Sequence, residues 1–161
     1  MKITRLKIAI AWLRGDLIQA RQHLERALTL NRAIGYRQGL AFAYYHLGCV
    51  LDALHDNQAR HYFSEALQLA VDLGLSWLML GFAPGVANYL VKCSEDQLAV
   101  EFLSLTINDL SVESWTRLNA QRMLTEITAQ QPPAVEAITV EANQVRDLAV
   151  IIDELLEKLL K

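Results

Sequence analysis

Cysteine, proline and glycine are all scarce in this 161-residue chain, with 2 Cys, 3 Pro and 7 Gly, and each scarcity removes a class of structure. Cys49 and Cys93 are too few for a disulfide framework, which points to a compartment with reduced thiols. Little Pro and Gly in a chain that is 53% hydrophobic argues against disorder. Runs of β-branched residues alternating with polar ones are also sparse. Ala, Leu, Gln, Glu and Arg instead recur three and four apart, so the expected class is all-α. No segment reads as a secretory leader: Lys2, Arg5 and Lys7 precede an apolar run, but Ile8 to Leu13 spans only six residues before Arg14 and carries no small-residue cleavage site. A cytoplasmic protein is expected.

Sequence signatures of catalysis are missing as well. There is no Gly-x-x-x-x-Gly-Lys-Ser/Thr loop to cradle phosphates, no Gly-x-Ser-x-Gly elbow and no His-Glu-x-x-His pair. Carboxylate pairs such as Asp109 with Glu113 and Asp153 with Glu157 fall on solvated helical faces with no neighbour placed to perturb them. His46 and Cys49 have a spacing that can seat a metal, with His55 or His61 to complete it. The preferred reading takes Cys49 as a small apolar residue beside Gly48, with His61 at an exposed position. No metal, no cofactor and no enzymatic activity are expected.

Charge and hydropathy bound the partners. Residues 1–40 carry a net +6 and residues 41–161 a net −9. The basic charges lie on two successive helices at solvent-facing spacings, without a glycine-rich or aromatic nucleic-acid motif, so a protein contact is preferred to a nucleic acid. Between Asp72 and Lys92 lie 19 residues without a charge, about the length of a membrane span. Gly74, Ser76, Gly81, Pro84, Gly85 and Asn88 dilute that stretch, and it reads as an internal helix buried on both sides rather than as a span.

What is present is a repeat. Ala20, Leu24, Ala27 and Leu28 recur 39 residues later as Ala59, Phe63, Ala66 and Leu67, and a weaker third set follows at Ala99, Leu103 and Thr106. A period in this range marks stacked supersecondary units, and alternating small and large residues let antiparallel helices approach closely. Helices are expected from about Ile3 to Arg14, then to Asn31 with Asp16 as its cap, and from Arg37 to Leu54. Others should end near Asp72, run from Leu75 to Lys92, and run to Ile107 from a capping box at Ser94 and Gln97. Gly15, Gly35 and Gly74 suit helix ends, and Pro84 should break its helix between Leu80 and Gly85. Beyond residue 110, Ser111 should cap a helix over 112–128, Pro132-Pro133 start another, and Asp147 cap Leu148 to Leu160.

Leu47-Gly48, Ala59, Phe63 and Ala66 resemble the tetratricopeptide pattern, in which a Leu-Gly pair lies in the first helix of a hairpin and an Ala, a bulky residue and an Ala lie in the second. The resemblance implies about three antiparallel hairpins over residues 1–110, stacked in a right-handed α-solenoid, with a C-terminal helical cap over 111–161. The tail, with Arg117 and Arg122, Met123-Leu124, Pro132-Pro133 and Arg146-Asp147-Leu148, is similar to the C-terminal end of large bacterial tetratricopeptide proteins, including STAND-class signalling ATPases and transcriptional activators. The chain is then a C-terminal piece of such a regulator or a stand-alone relative.

In such arrays the first helix of each pair lines a concave groove. Carried over by position, the peptide-binding candidates are Phe42, Tyr45, Cys49 and Asp52, with Arg5 and Trp12 from the first repeat and Asn88 from the third. The Lys, Arg and Asn of a chaperone-type carboxylate clamp are missing there, so the groove suits an apolar helical or extended segment. Packing against the neighbouring helix is an equally open reading of Phe42 and Tyr45. The uncovered apolar side of the first helix, with Ile3, Ile10 and Trp12, points to a homodimer. The expected function is a non-enzymatic protein-interaction module, a scaffold or sensor in bacterial signalling. The alternative is a nucleic-acid-associated transcriptional regulator using the basic N-terminal helices.

Overall fold

The computed structural model describes residues 14–130 and 146–160, and among them the protein is helical throughout, with no strand. Eight helices occur in these residues: α1 Leu17–Ala33, α2 Arg37–Ala53, α3 Ala59–Asp72, α4 Ser76–Gly81, α5 Ala83–Lys92, α6 Asp96–Asn108, α7 Ser114–Gln130 and α8 Leu148–Leu160. They fall into two compact units that divide between Leu73 and Gly74. The helix expected over Ile3 to Arg14 and the one begun by Pro132-Pro133 lie outside the described residues.

In the first unit α2 packs against both α1 and α3. Asp16 caps α1 as expected, its Oδ1 accepting from the Gln19 backbone N–H at 2.9 Å. Being sandwiched explains the composition of α2. Gly39, Ala41, Ala43, Leu47, Gly48, Val50 and Leu51 are all buried along it, whereas α1 buries a single stripe of Ala20, Leu24, Leu28 and Asn31. A core of Ala20, Leu24, Leu28, Ala43, Leu47 and Val50 forms between the two, with Tyr44 and Tyr62 packed at its edge. On α3 the repeat residues Ala59, Phe63, Ala66 and Leu67 are essentially inaccessible. Complete burial of a Leu or Phe side chain contributes roughly 1.5–3 kcal/mol, so these positions carry much of the unit's stability.

The helix ends follow one scheme. After α1, Gly35 takes φ +67°, its N–H reaches Arg32 O at 3.2 Å and Tyr36 N–H reaches Asn31 O at 2.9 Å, the paired bonds of a Schellman motif. After α2 and α5 the same left-handed position is held by His55 at φ +56° and Ser94 at φ +63°, with Asp56 N–H to Leu51 O at 2.8 Å and Glu95 N–H to Leu90 O at 3.0 Å. The capping box expected at Ser94 is therefore not formed. Ser94 closes α5, Glu95 occupies the N-cap of α6 without a side-chain cap bond, and Gln97 donates to Glu101 instead. A residue with a Cβ is disfavoured at positive φ, so His55→Gly should raise stability by about 1 kcal/mol, read as a higher urea midpoint at unchanged slope.

In the second unit α6 packs on α4, α5 and α7. The expected break occurs at Phe82, between α4 and α5, with Pro84 in the first turn of α5. The uncharged stretch is thus divided between two short helices, and among the described residues no helix is long and apolar enough to cross a membrane. Proline has no N–H for the carbonyl four residues back, which is that of Leu80. Thr106 of α6 supplies the donor, with Oγ1 3.2 Å from Leu80 O and 3.0 Å from Phe102 O. The third repeat set is buried like the others, Ala99, Leu103 and Thr106 each at 0% exposure. Its threonine stands where the other sets have alanine because there is a carbonyl to satisfy.

Helix α7 starts at Ser114, later than a cap at Ser111 would place it. The Ser111 hydroxyl and N–H both donate to Asp109 Oδ1, at 2.6 and 2.7 Å. These bonds, the hydroxyl first, hold the Asp109 carboxyl below its ordinary value. A depressed carboxylate pKa contributes stability above the unfolded value and loses it as pH falls through the folded one. Ser111→Ala should move the Asp109 titration upward, as followed by NMR.

Helix α8 buries Ile151, Ile152, Leu155 and Leu159. Asp147 precedes it as expected, with Oδ1 3.5 Å from the Ala149 N–H. Arg146 donates to Glu101 of α6 and, at 2.8 Å, to Glu154, and Lys158 Nζ reaches Glu95 at 2.7 Å. The beginning of α8 therefore pairs with the middle of α6 and its end with the α6 N-cap, so the two helices run antiparallel.

Candidate functional site

Phe42, Tyr45, Cys49 and Asp52 recur at spacings of three, four and three along α2, which places them on one helical face. Phe42, Tyr45 and Cys49 are half-buried there, while Asp52 is buried at 8% exposure. The opposite side of the same helix is committed to packing. Gly48 lies flat against Phe63 of α3, so close that a Cβ at position 48 would stand 2.7 Å from two ring carbons.

Tyr45 serves both readings. Its ring centroid lies 6.2 Å from that of Phe63 at an interplanar angle of 52°, and 5.0 Å from that of His46. It therefore joins α2 to α3 through aromatic contact while keeping part of its surface in water. Asn88 is exposed on α5 in the second unit. Arg5 and Trp12 lie outside the described residues, as does the apolar side of the first helix expected to dimerise.

A second aromatic seam was not anticipated from the sequence. The Arg32 guanidinium of α1 donates to Tyr44 OH at 2.8 Å and sits 5.8 Å from that ring's centroid. Tyr44 packs on Tyr62 of α3 at 6.1 Å, and His61 meets Tyr62 edge-on at 5.4 Å. The hydrogen bond from Tyr44 raises the Arg32 pKa further. The available signal was the placement of Tyr44 and Tyr62 one residue from Tyr45 and Phe63, on the adjacent faces of their helices.

The basic N-terminal segment is partly engaged within the fold. Arg21 pairs with Glu25 at 2.9 Å and Arg37 with Asp72 at 3.3 Å. Among the described residues no group of three or more His, Cys, Asp or Glu side chains is arranged to hold a metal, the His46 and Cys49 pair included. What the α2 face offers is aromatic and apolar contact with one carboxylate beside it, a chemistry of binding. No protein-family model, curated protein or solved structure matches the chain.

Proposed function

We propose that this chain is a non-enzymatic helical-repeat module of the tetratricopeptide kind, a scaffold or sensor segment of a bacterial regulatory protein. It binds a helical or extended apolar segment of a protein partner along the α2 face. The observation that carries this reading is the division of labour on α2. Leu47, Gly48 and Leu51 are buried against the neighbouring helices, whereas Phe42, Tyr45 and Cys49 share a face and keep partial access to solvent. In this reading α7 and α8 serve as the terminal cap that a repeat array needs, and the medium is the cytoplasm.

A nucleic-acid partner draws less support, because Arg21, Arg32 and Arg37 already engage Glu25, Tyr44 and Asp72. The test is selection of displayed peptides on the full chain, followed by affinity measurements on variants. Phe42→Lys should weaken a selected peptide by about tenfold or more without lowering Tm, and the affinity should persist in high salt, where phosphate contacts weaken steeply. Peptides indifferent to Phe42 and Tyr45 would remove the proposal.

A further inference from the structure

The contact between α8 and α6 is a helix-docking surface in its own right. The buried face of α8 is a four-residue apolar stripe, Ile151, Ile152, Leu155 and Leu159, exposed by 2% or less. Outside it, Arg146 engages Glu101, and Lys158 Nζ lies 2.7 Å from Glu95. These ion pairs fix direction as well as position, since a reversed helix would bring neither cation to its carboxylate. The acids differ in setting, with the Glu101 side chain at 12% exposure and that of Glu95 at 33%. The surface therefore specifies an amphipathic helix with a cation before its first turn and another in its last.

We propose that this surface also accepts α8 from a second copy of the chain, so that two copies exchange their C-terminal helices and close a symmetric dimer. Two observations support that occupant. A surface that fits α8 within one chain fits the identical helix from another, with the same apolar burial and the same ion pairs. Fifteen residues also separate Gln130 from Arg146, a covalent tether that can extend to about 50 Å, so the connection does not confine α8 to its own α6. Reciprocal exchange of one element is a low-cost route to a two-fold dimer because it needs no new interface. The inference concerns the second unit alone and is independent of what binds the α2 face.

The Lys158–Glu95 pair makes the exchange measurable on the full, unaltered chain. Chains of natural abundance and chains labelled with 15N are mixed in equal amounts, incubated, and treated with a water-soluble carbodiimide, which joins an amine to a carboxylate already in contact. Mass spectrometry of the digest then reads the Glu95–Lys158 linkage. Exchange predicts light–heavy linked pairs that grow with protein concentration towards roughly half of all such links at full dimerisation, and that vanish in Lys158→Gln. Links that stay light–light and heavy–heavy at every concentration overturn the proposal, as does a dimer whose mixed links avoid Glu95, such as one formed through residues 1–13. A dye-labelled peptide of residues 146–160 gives a second reading. It should bind the full chain saturably and bind Glu95→Lys at least tenfold more weakly, and failure to bind, or equal binding to both, overturns the proposal.

Discussion

Truncating Phe63 to alanine is expected to destabilise the protein by about 3–5 kcal/mol, and the loss should depend on what stands at position 48. Phe63 is at 0% exposure, and its ring occupies the space that the missing side chain of Gly48 leaves on α2. Gly48→Ala alone adds a methyl group where two ring carbons would lie 2.7 Å away. The ring is held between α2 and α3 and cannot withdraw freely, so the substitution should cost about 1–3 kcal/mol despite the better helix propensity of alanine. In the double variant the ring is gone and the new methyl group enters vacated space. The double variant should therefore be no less stable than Phe63→Ala, giving a coupling energy about equal to the full cost of Gly48→Ala. Urea unfolding of the four proteins closes the cycle. Additive losses would mean that the two residues do not share one packing site, and that the repeat signature arises from something other than this contact.

Thr106→Val should cost about 1–3 kcal/mol, although the two side chains have nearly the same shape. The hydroxyl satisfies the Leu80 carbonyl, at 3.2 Å, from a position with 0% exposure, and a buried acceptor left without a partner bears its full desolvation penalty. The carbonyl depends on Thr106 because Pro84 has no N–H to offer it. With Pro84→Ala in place, the N–H of residue 84 becomes a competing donor, and the further loss on Thr106→Val should fall below about 1 kcal/mol. Equal losses in both backgrounds would show that proline and threonine are not linked through that carbonyl.

Much of the backbone plan was legible along the chain. The three sets of small and large residues lie in the core, Asp16 caps α1, α1 and α3 end beside Gly35 and Gly74, and the helix holding Pro84 breaks where proline forbids a hydrogen bond. Each is a local rule, in which a residue's own conformational limits or its period decide the outcome. Those rules also placed Phe42, Tyr45, Cys49 and Asp52 on one face of α2. They did not show how far each is buried, because the depth of Asp52 and the contact of Tyr45 with Phe63 depend on neighbouring helices.

The misses share a cause. Ser94 reads as an N-cap because serine prefers that role, yet it lies at φ +63°, where the hydrogen bonds closing α5 outweigh the penalty of its Cβ. Ser111 has the same local preference but turns to Asp109, two residues back. Thr106 reads as a weak copy of alanine until the carbonyl of Leu80, 26 residues away, lies beside it. The ion pairs of Arg146 and Lys158 join residues 45 and 63 positions apart, and no periodicity connects them.

By itself, then, the chain determined its helices, most of their ends and the faces they bury, since helix formation and termination are governed by residues within a few positions of one another. Tertiary structure alone decided which polar groups satisfy one another across helices, why position 48 has no room for a side chain, and where α8 rests. Those outcomes depend on distances between segments remote in sequence, which exist only once the helices have packed.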